Sequence, residues 1–183
     1  MGPLDEIQTL ARKKAALRER ARELQVRVGE IEPKKRLPQV ALHALTNLWH
    51  PIAFEISGAA HQLRLQVDDT WIKEGLQVLE KKEQTIDISD DQIRTFCNFD
   101  QFEQADQEAF FPILKAKLEG EMSYRNFVRH FNELYRQFEH EVEDVEKECI
   151  PLRESSLEID AEVAGIDRRL KEIADAATIV ISG

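Results

Sequence analysis

Residues 124–180 read YRNFVRHFNELYRQFEHEVEDVEKECIPLRESSLEIDAEVAGIDRRLKEIADAATIV. Apolar side chains recur there at alternating steps of four and three: Tyr124, Val128, Phe131, Tyr135, Phe138, Val142, Val145, Cys149, Leu152, Ser156, Ile159, Val163, Ile166, Leu170, Ile173, Ala177 and Val180. Ser156 is the one polar member of the series. A mean step of 3.5 residues is the seam of a heptad helix, one stripe of which faces another helix. Fully helical, the stretch would run roughly 85 Å at 1.5 Å per residue.

Working outward, residues 4–32 carry a second heptad segment. Leu10, Leu17, Leu24 and Ile31 stand seven apart, and Ile7, Lys14, Ala21 and Val28 fill the other seam position. Pro3 suits the first helical turn and Pro33 ends the segment. Lys14 is the polar intruder, able either to set register or to snorkel. Lys34, Lys35, Arg36 and Pro38 then read as a solvated linker.

Residues 39–60 hold one formal charge, Glu55, and read as two helical pieces meeting at Pro51 or as one kinked helix. Helix is expected to continue through Leu63, Val67, Trp71, Ile72, Leu76 and Leu79, with Gly75 weakening it slightly. Thr85 to Ile88 is expected to be a short extended connection. Ser89-Asp-Asp-Gln92 is a capping box with Ile88 and Ile93 at the staple positions. Asp100 to Glu103 forms a second such box, opening a helix that reaches Leu118 with a kink at Pro112. Gly120 ends that helix and Ser123 can cap the long one. Pro151 either kinks the long helix or breaks it, and the unbroken heptad phase favours the kink.

The fold class that follows is all-α. We expect an elongated helical bundle in which arms 4–32 and 123–180 form an antiparallel coiled-coil stalk and residues 37–122 form a helical head, the whole of 1–183 being a single elongated domain. Charge fits this pairing, with a net of +4 over residues 1–36, −8 over 37–122 and −6 over 123–183. If the arms meet at the head, residue 31 lies near 124–128 and residue 10 near 145–149. Residues 152–180 then keep the stripe Ile159, Val163, Ile166, Leu170 and Ile173 without a cover. A stripe of that length has to fold back, bind a partner chain or a second copy, or lie on a membrane.

Composition narrows the function classes. The chain has 183 residues, 33% charged and 42% hydrophobic, which is too apolar for a disordered chain. A formal charge of −10 argues against a nucleic-acid partner, since phosphate needs a basic face. Cys97 and Cys149 are too few and too far apart for a disulfide framework. No signal peptide and no run of 18 apolar residues is visible, so the default compartment is the cytoplasm, with secretion by a signal-less route left open. The apolar end at Gly183 suggests that the natural chain continues.

No catalytic, cofactor or metal constellation emerges. Glycines stand at 2, 29, 58, 75, 120, 165 and 183, too scattered for a phosphate-cradling loop. None of His43, His50, His61, His130 and His140 has a glutamate three residues before it, which excludes the di-metal bundle motif. An EF-hand reading around Gly120 would need Lys115 and Lys117 as calcium ligands, and cations cannot serve. The expected function is therefore a non-enzymatic helical interaction or scaffold module that binds protein, either itself or another helical chain. The alternative is the soluble form of an α-helical pore-forming, membrane-inserting protein. Its membrane-seeking residues would be Leu48, Trp49, Ile52 and Phe54 in the low-charge segment and Ile179, Val180 and Ile181 in the tail.

Overall fold

A computed structural model describes residues 2–59 and 69–182, with the side chains of 69 and 70 left aside. The fold is all-α, relieved by one two-stranded sheet. In chain order the elements are α1 (Pro3–Ile31), a 3₁₀ turn (Glu32–Lys35), α2 (Arg36–Ala59), α3 (Asp69–Lys81), β1 (Thr85–Ile88), α4 (Asp90–Phe96), α5 (Gln104–Leu118), β2 (Gly120–Ser123) and α6 (Tyr124–Ser182). The expected helix through Leu63 and Val67 falls outside the described residues. Two compact units result: Met1–Lys34 with Asp144–Gly183, and Lys35–Glu143.

In the second unit, α2 is one helix that passes through Pro51. It buries Ala41, Ala44, Leu45, Leu48, Ile52 and Ile56. These residues share a core with Ile93, Phe110, Leu114, Leu118, Phe127, Leu134 and Phe138. Residues 124–143 of α6 thus supply Tyr124, Phe127, Phe131, Leu134 and Phe138 to this core. Trp49 stacks on Phe131 with ring centroids 5.0 Å apart. Arg36 clamps the buried carboxylate of Asp106 with two hydrogen bonds, Nη1 to Oδ1 at 3.0 Å and Nη2 to Oδ2 at 2.8 Å. Such a planar fork is the strongest way to hold a buried carboxylate.

Local signals in this unit resolve one by one. Ser89 caps α4 as its box predicts. Its hydroxyl accepts from the Gln92 amide at 3.3 Å, and its own amide donates to the Gln92 side chain at 3.0 Å. The box at Asp100 does not open α5. Asn98 takes a left-handed conformation (φ 55°), and residues 99–101 form a 3₁₀ turn that buries Phe99, so α5 starts at Gln104. The Gln107 amide then donates to the carbonyls of Phe99 and Phe102 at 2.6 and 2.9 Å, closing the turn from the helix side. Thr85 to Ile88 does more than connect: it pairs antiparallel with β2, Ile86 opposite Met122. Ser123 accepts from the Asn126 amide at 3.1 Å and caps α6.

Gly75 has a stronger reason to be glycine than its helix propensity suggests. A Cβ built there would sit 2.1 Å from the Ile56 carbonyl oxygen, so α2 and α3 touch backbone to backbone at this point. Ion pairs decorate the surface of the unit. Lys115 contacts Asp90 at 2.8 Å, and Lys117 contacts Glu133 at 2.9 Å. The Lys115 hydrogen bond holds the Asp90 carboxyl below its ordinary pKa, and Lys115 itself is shifted upward by Asp90.

In the first unit, α1 and the distal part of α6 run antiparallel. Glu6 pairs with Arg169 at 2.8 Å, Lys13 with Glu162 at 2.5 Å and Glu32 with Arg153 at 2.6 Å. Lys14 reaches Asp167 as well. The expected register is therefore overturned: residue 32 lies by 153, well beyond 124–128. The cause is that residues 124–143 are already used by the core of the second unit. Pro151 does not break α6, which continues to Ser182.

Charge fixes the register that geometry leaves open. A slip of one heptad one way would set Glu6 against Glu162 and Glu32 against Glu146. A slip the other way would set Lys13 against Arg169 and Glu32 against Asp160. Each exposed pair contributes only about 0–1 kcal/mol, yet both slips replace attraction by repulsion at two positions.

Two outcomes are expected. Gly75→Ala should destabilise the second unit by about 3 kcal/mol through overpacking, seen as a lower urea midpoint. Lys115→Met should cost stability at pH 7. The stabilisation from the depressed Asp90 pKa is fully present above the unfolded value and is lost as pH falls through the lowered folded value, so the deficit should close in acid, as pH-dependent urea unfolding would show.

Candidate functional site: an apolar groove at the end of the first unit

The exposure pattern of α1 repeats its heptads. Leu10, Lys14, Leu17, Ala21, Leu24, Val28 and Ile31 are the half-buried positions, while Ile7 lies just on the exposed side. On α6, Cys149, Ile159 and Ile166 are buried, and Leu152, Ser156, Val163, Leu170 and Ile173 are half-buried. The stripe expected to lie bare (Ile159, Val163, Ile166, Leu170 and Ile173) is thus opposite α1. This corrects the premise that α1 leaves it uncovered, and the shifted register is the reason.

The bare portion is shorter and lies further on. Glu6 beside Arg169 puts Pro3, the first residue of α1, near residue 172, while Lys14 beside Asp167 and Glu32 beside Arg153 put it near 178 and 182, so α1 begins at about the level of Ala177, with which Pro3 lines one groove. Among the described residues nothing on α1 stands opposite 178–182. Ala177 and Val180 keep the seam phase but face solvent, and Ile179, Val180 and Ile181 are 72%, 79% and 86% exposed. Leu4 at the start of α1 is exposed as well. Together they border a groove of ≈ 580 Å³ lined by Pro3, Ile7, Ile173, Ala177, Val180 and Ile181. Its rim is polar, with Arg169 bridging Glu6 and Glu172. Asp175 is the sole formal charge from 174 to 182.

The remaining residues singled out in the sequence do not converge. Leu48 and Ile52 lie in the core of the second unit, Trp49 is half-buried against Phe131, and Phe54 is exposed. Val180 and Ile181 line the groove just described, and Ile179 is exposed beside it. Ile7 and Pro3 as groove residues escaped the sequence reading, because their place depends on register.

Chemistry-bearing groups elsewhere are tied into packing. Burial pushes the Cys97 thiol up to about 12, so it stays protonated at neutral pH. The Tyr124 phenol donates to Glu55 at 2.6 Å, and its pKa is raised by burial and by that carboxylate. Among the described residues no cluster of three His, Cys, Asp or Glu side chains is placed to hold a metal ion, and no helix is long and apolar enough to cross a membrane. No family model matches the chain, and neither a curated protein nor a solved structure is significantly similar to it.

The bare turns should be dispensable for folding while the covered stripe is not. Ile166→Asp should unfold the first unit by burying a charge. Val180→Asp should shift stability by no more than about 0.5 kcal/mol. Circular dichroism melts of both variants measure the contrast.

Proposed function

We propose that the protein is a non-enzymatic helical interaction module. In this reading, α1 and the distal part of α6 form an antiparallel coiled coil whose uncovered end captures a helix of another protein chain. The observation that carries it is the run Ile179, Val180 and Ile181, exposed beside the groove although the seam continues through Ala177 and Val180. A stripe still in phase after its intramolecular partner has ended presents the next heptad to any amphipathic helix. The polar rim formed by Glu6, Arg169 and Glu172 would orient such a helix more than it would hold it.

The competing reading, a membrane-inserting protein in soluble form, uses the same tail. It finds less support in the other segment proposed for it, since Leu48 and Ile52 are core residues of the second unit. A fluorophore attached through Thr178→Cys separates the two readings. An interaction module should show a blue shift when a synthetic helix copying residues 3–31 is added, with no shift and no dye leakage on vesicles of mixed neutral and anionic lipid. Leakage from those vesicles, with an unchanged signal on the peptide, would overturn the proposal in favour of membrane insertion.

A further inference from the structure

The two long sides of the helix pair in the first unit differ in chemistry. Ion pairs sort the residues flanking the seam: Glu6–Arg169 and Lys13–Glu162 mark one side, Glu32–Arg153 the other. Residues seven apart on a heptad helix share a side. The first side therefore carries Lys13, Arg20 and Arg27 on α1 facing Glu148 and Glu162 on α6, and it is charged along its length. The second side carries Leu4 on α1 and Ile181 on α6, with Ile150 and Leu157 one position further out. These four are 68%, 86%, 48% and 68% exposed. Four large apolar side chains in water along one side, against Ile179 alone on the other, make this a face and not a scatter.

The charges on this second side say what fits it. Arg18 and Arg22 lie on α1, and Asp160 and Asp167 on α6. Averaged over the observed ion pairs, Arg18 is level with about residue 162 and Arg22 with about residue 158, so both stand within a turn of Asp160. A two-fold axis parallel to the helices would lay each α1 over the α6 of a second copy and bring these arginines onto the partner's Asp160. An axis perpendicular to the helices would instead stack arginine on arginine. Size also suits. Helix α1 has 29 residues and so runs roughly 43 Å. Two such helices side by side offer roughly 800 Å² per copy, the area of a standard stable interface.

We propose that this side of the first unit, centred on Leu157, is a homodimer face on which two copies form an up-down four-helix bundle. The inference goes beyond the end groove: the face meets the groove at Leu4 and Ile181 but is centred on Leu157. Sedimentation equilibrium of the full chain tests it. The wild type should show a reversible monomer–dimer equilibrium within about 1–100 μM. Leu157→Glu should weaken it at least tenfold with helicity and melting unchanged. Arg22→Asp should weaken it too, and adding Asp160→Arg should restore it. Val180→Asp should leave it intact, which separates this face from the groove. A wild type that stays monomeric, a dimer indifferent to Leu157→Glu, or a double variant no tighter than Arg22→Asp would each overturn the proposal. So would a dimer lost on Val180→Asp alone.

Discussion

An apolar stripe that runs the length of one helix must be kept from water along all of it, and α6 meets this demand with two different covers. From Tyr124 to Phe138 the stripe enters the core built by α2, α4 and α5. From Cys149 to Ile173 it lies along α1. Burial at about 25 cal/mol per Å² outweighs anything the surface ion pairs supply. The stabilising force is thus indifferent to register, while the weak force chooses it. That division explains how a helix with so many equivalent heptads can have one defined partner alignment.

The second unit shows the complementary case, in which individual contacts are specific and irreplaceable. Arg36 and Asp106 form a fork whose carboxylate is buried, so loss of the arginine would strand a charge in the core. Gly75 lets two helices approach closer than any side chain allows. Aromatic rings do much of the remaining filling: Phe99 meets Phe110 and Phe111 edge-on, and the Arg94 guanidinium lies 3.9 Å from the Phe111 ring centroid. Packing of this kind tolerates little change of volume.

What could be read beforehand divides along the same line. Periodicity is a property of one helix, so the stripe was legible from Leu10 to Ile31 and from Cys149 to Ile173, as was the continuation through Pro151, whereas the deeply buried Phe127 and Leu134 fell outside the expected series because the core of the second unit takes a different face of α6. The Ser89 capping box is equally local. Register is a relation between two segments, and repeated heptads carry little of it; only the pattern of Glu6, Lys13 and Glu32 against Arg169, Glu162 and Arg153 does. The Asp100 box failed because burial of Phe99 outweighed a cap. Strand β2 was hidden because Gly120 to Ser123 acquires its identity only from pairing with β1. Of the candidate groove, Val180 and Ile181 were visible in composition, whereas the share of Pro3 and Ile7 required knowing where α1 begins along α6.

The placement of the thiols gives each unit its own clock. Cys97 lies wholly inside one and Cys149 inside the other, both out of reach of a soluble reagent while the surrounding side chains hold. Alkylation of either sulfur must wait for its own neighbourhood to breathe, so the two labelling rates time the opening of each half independently.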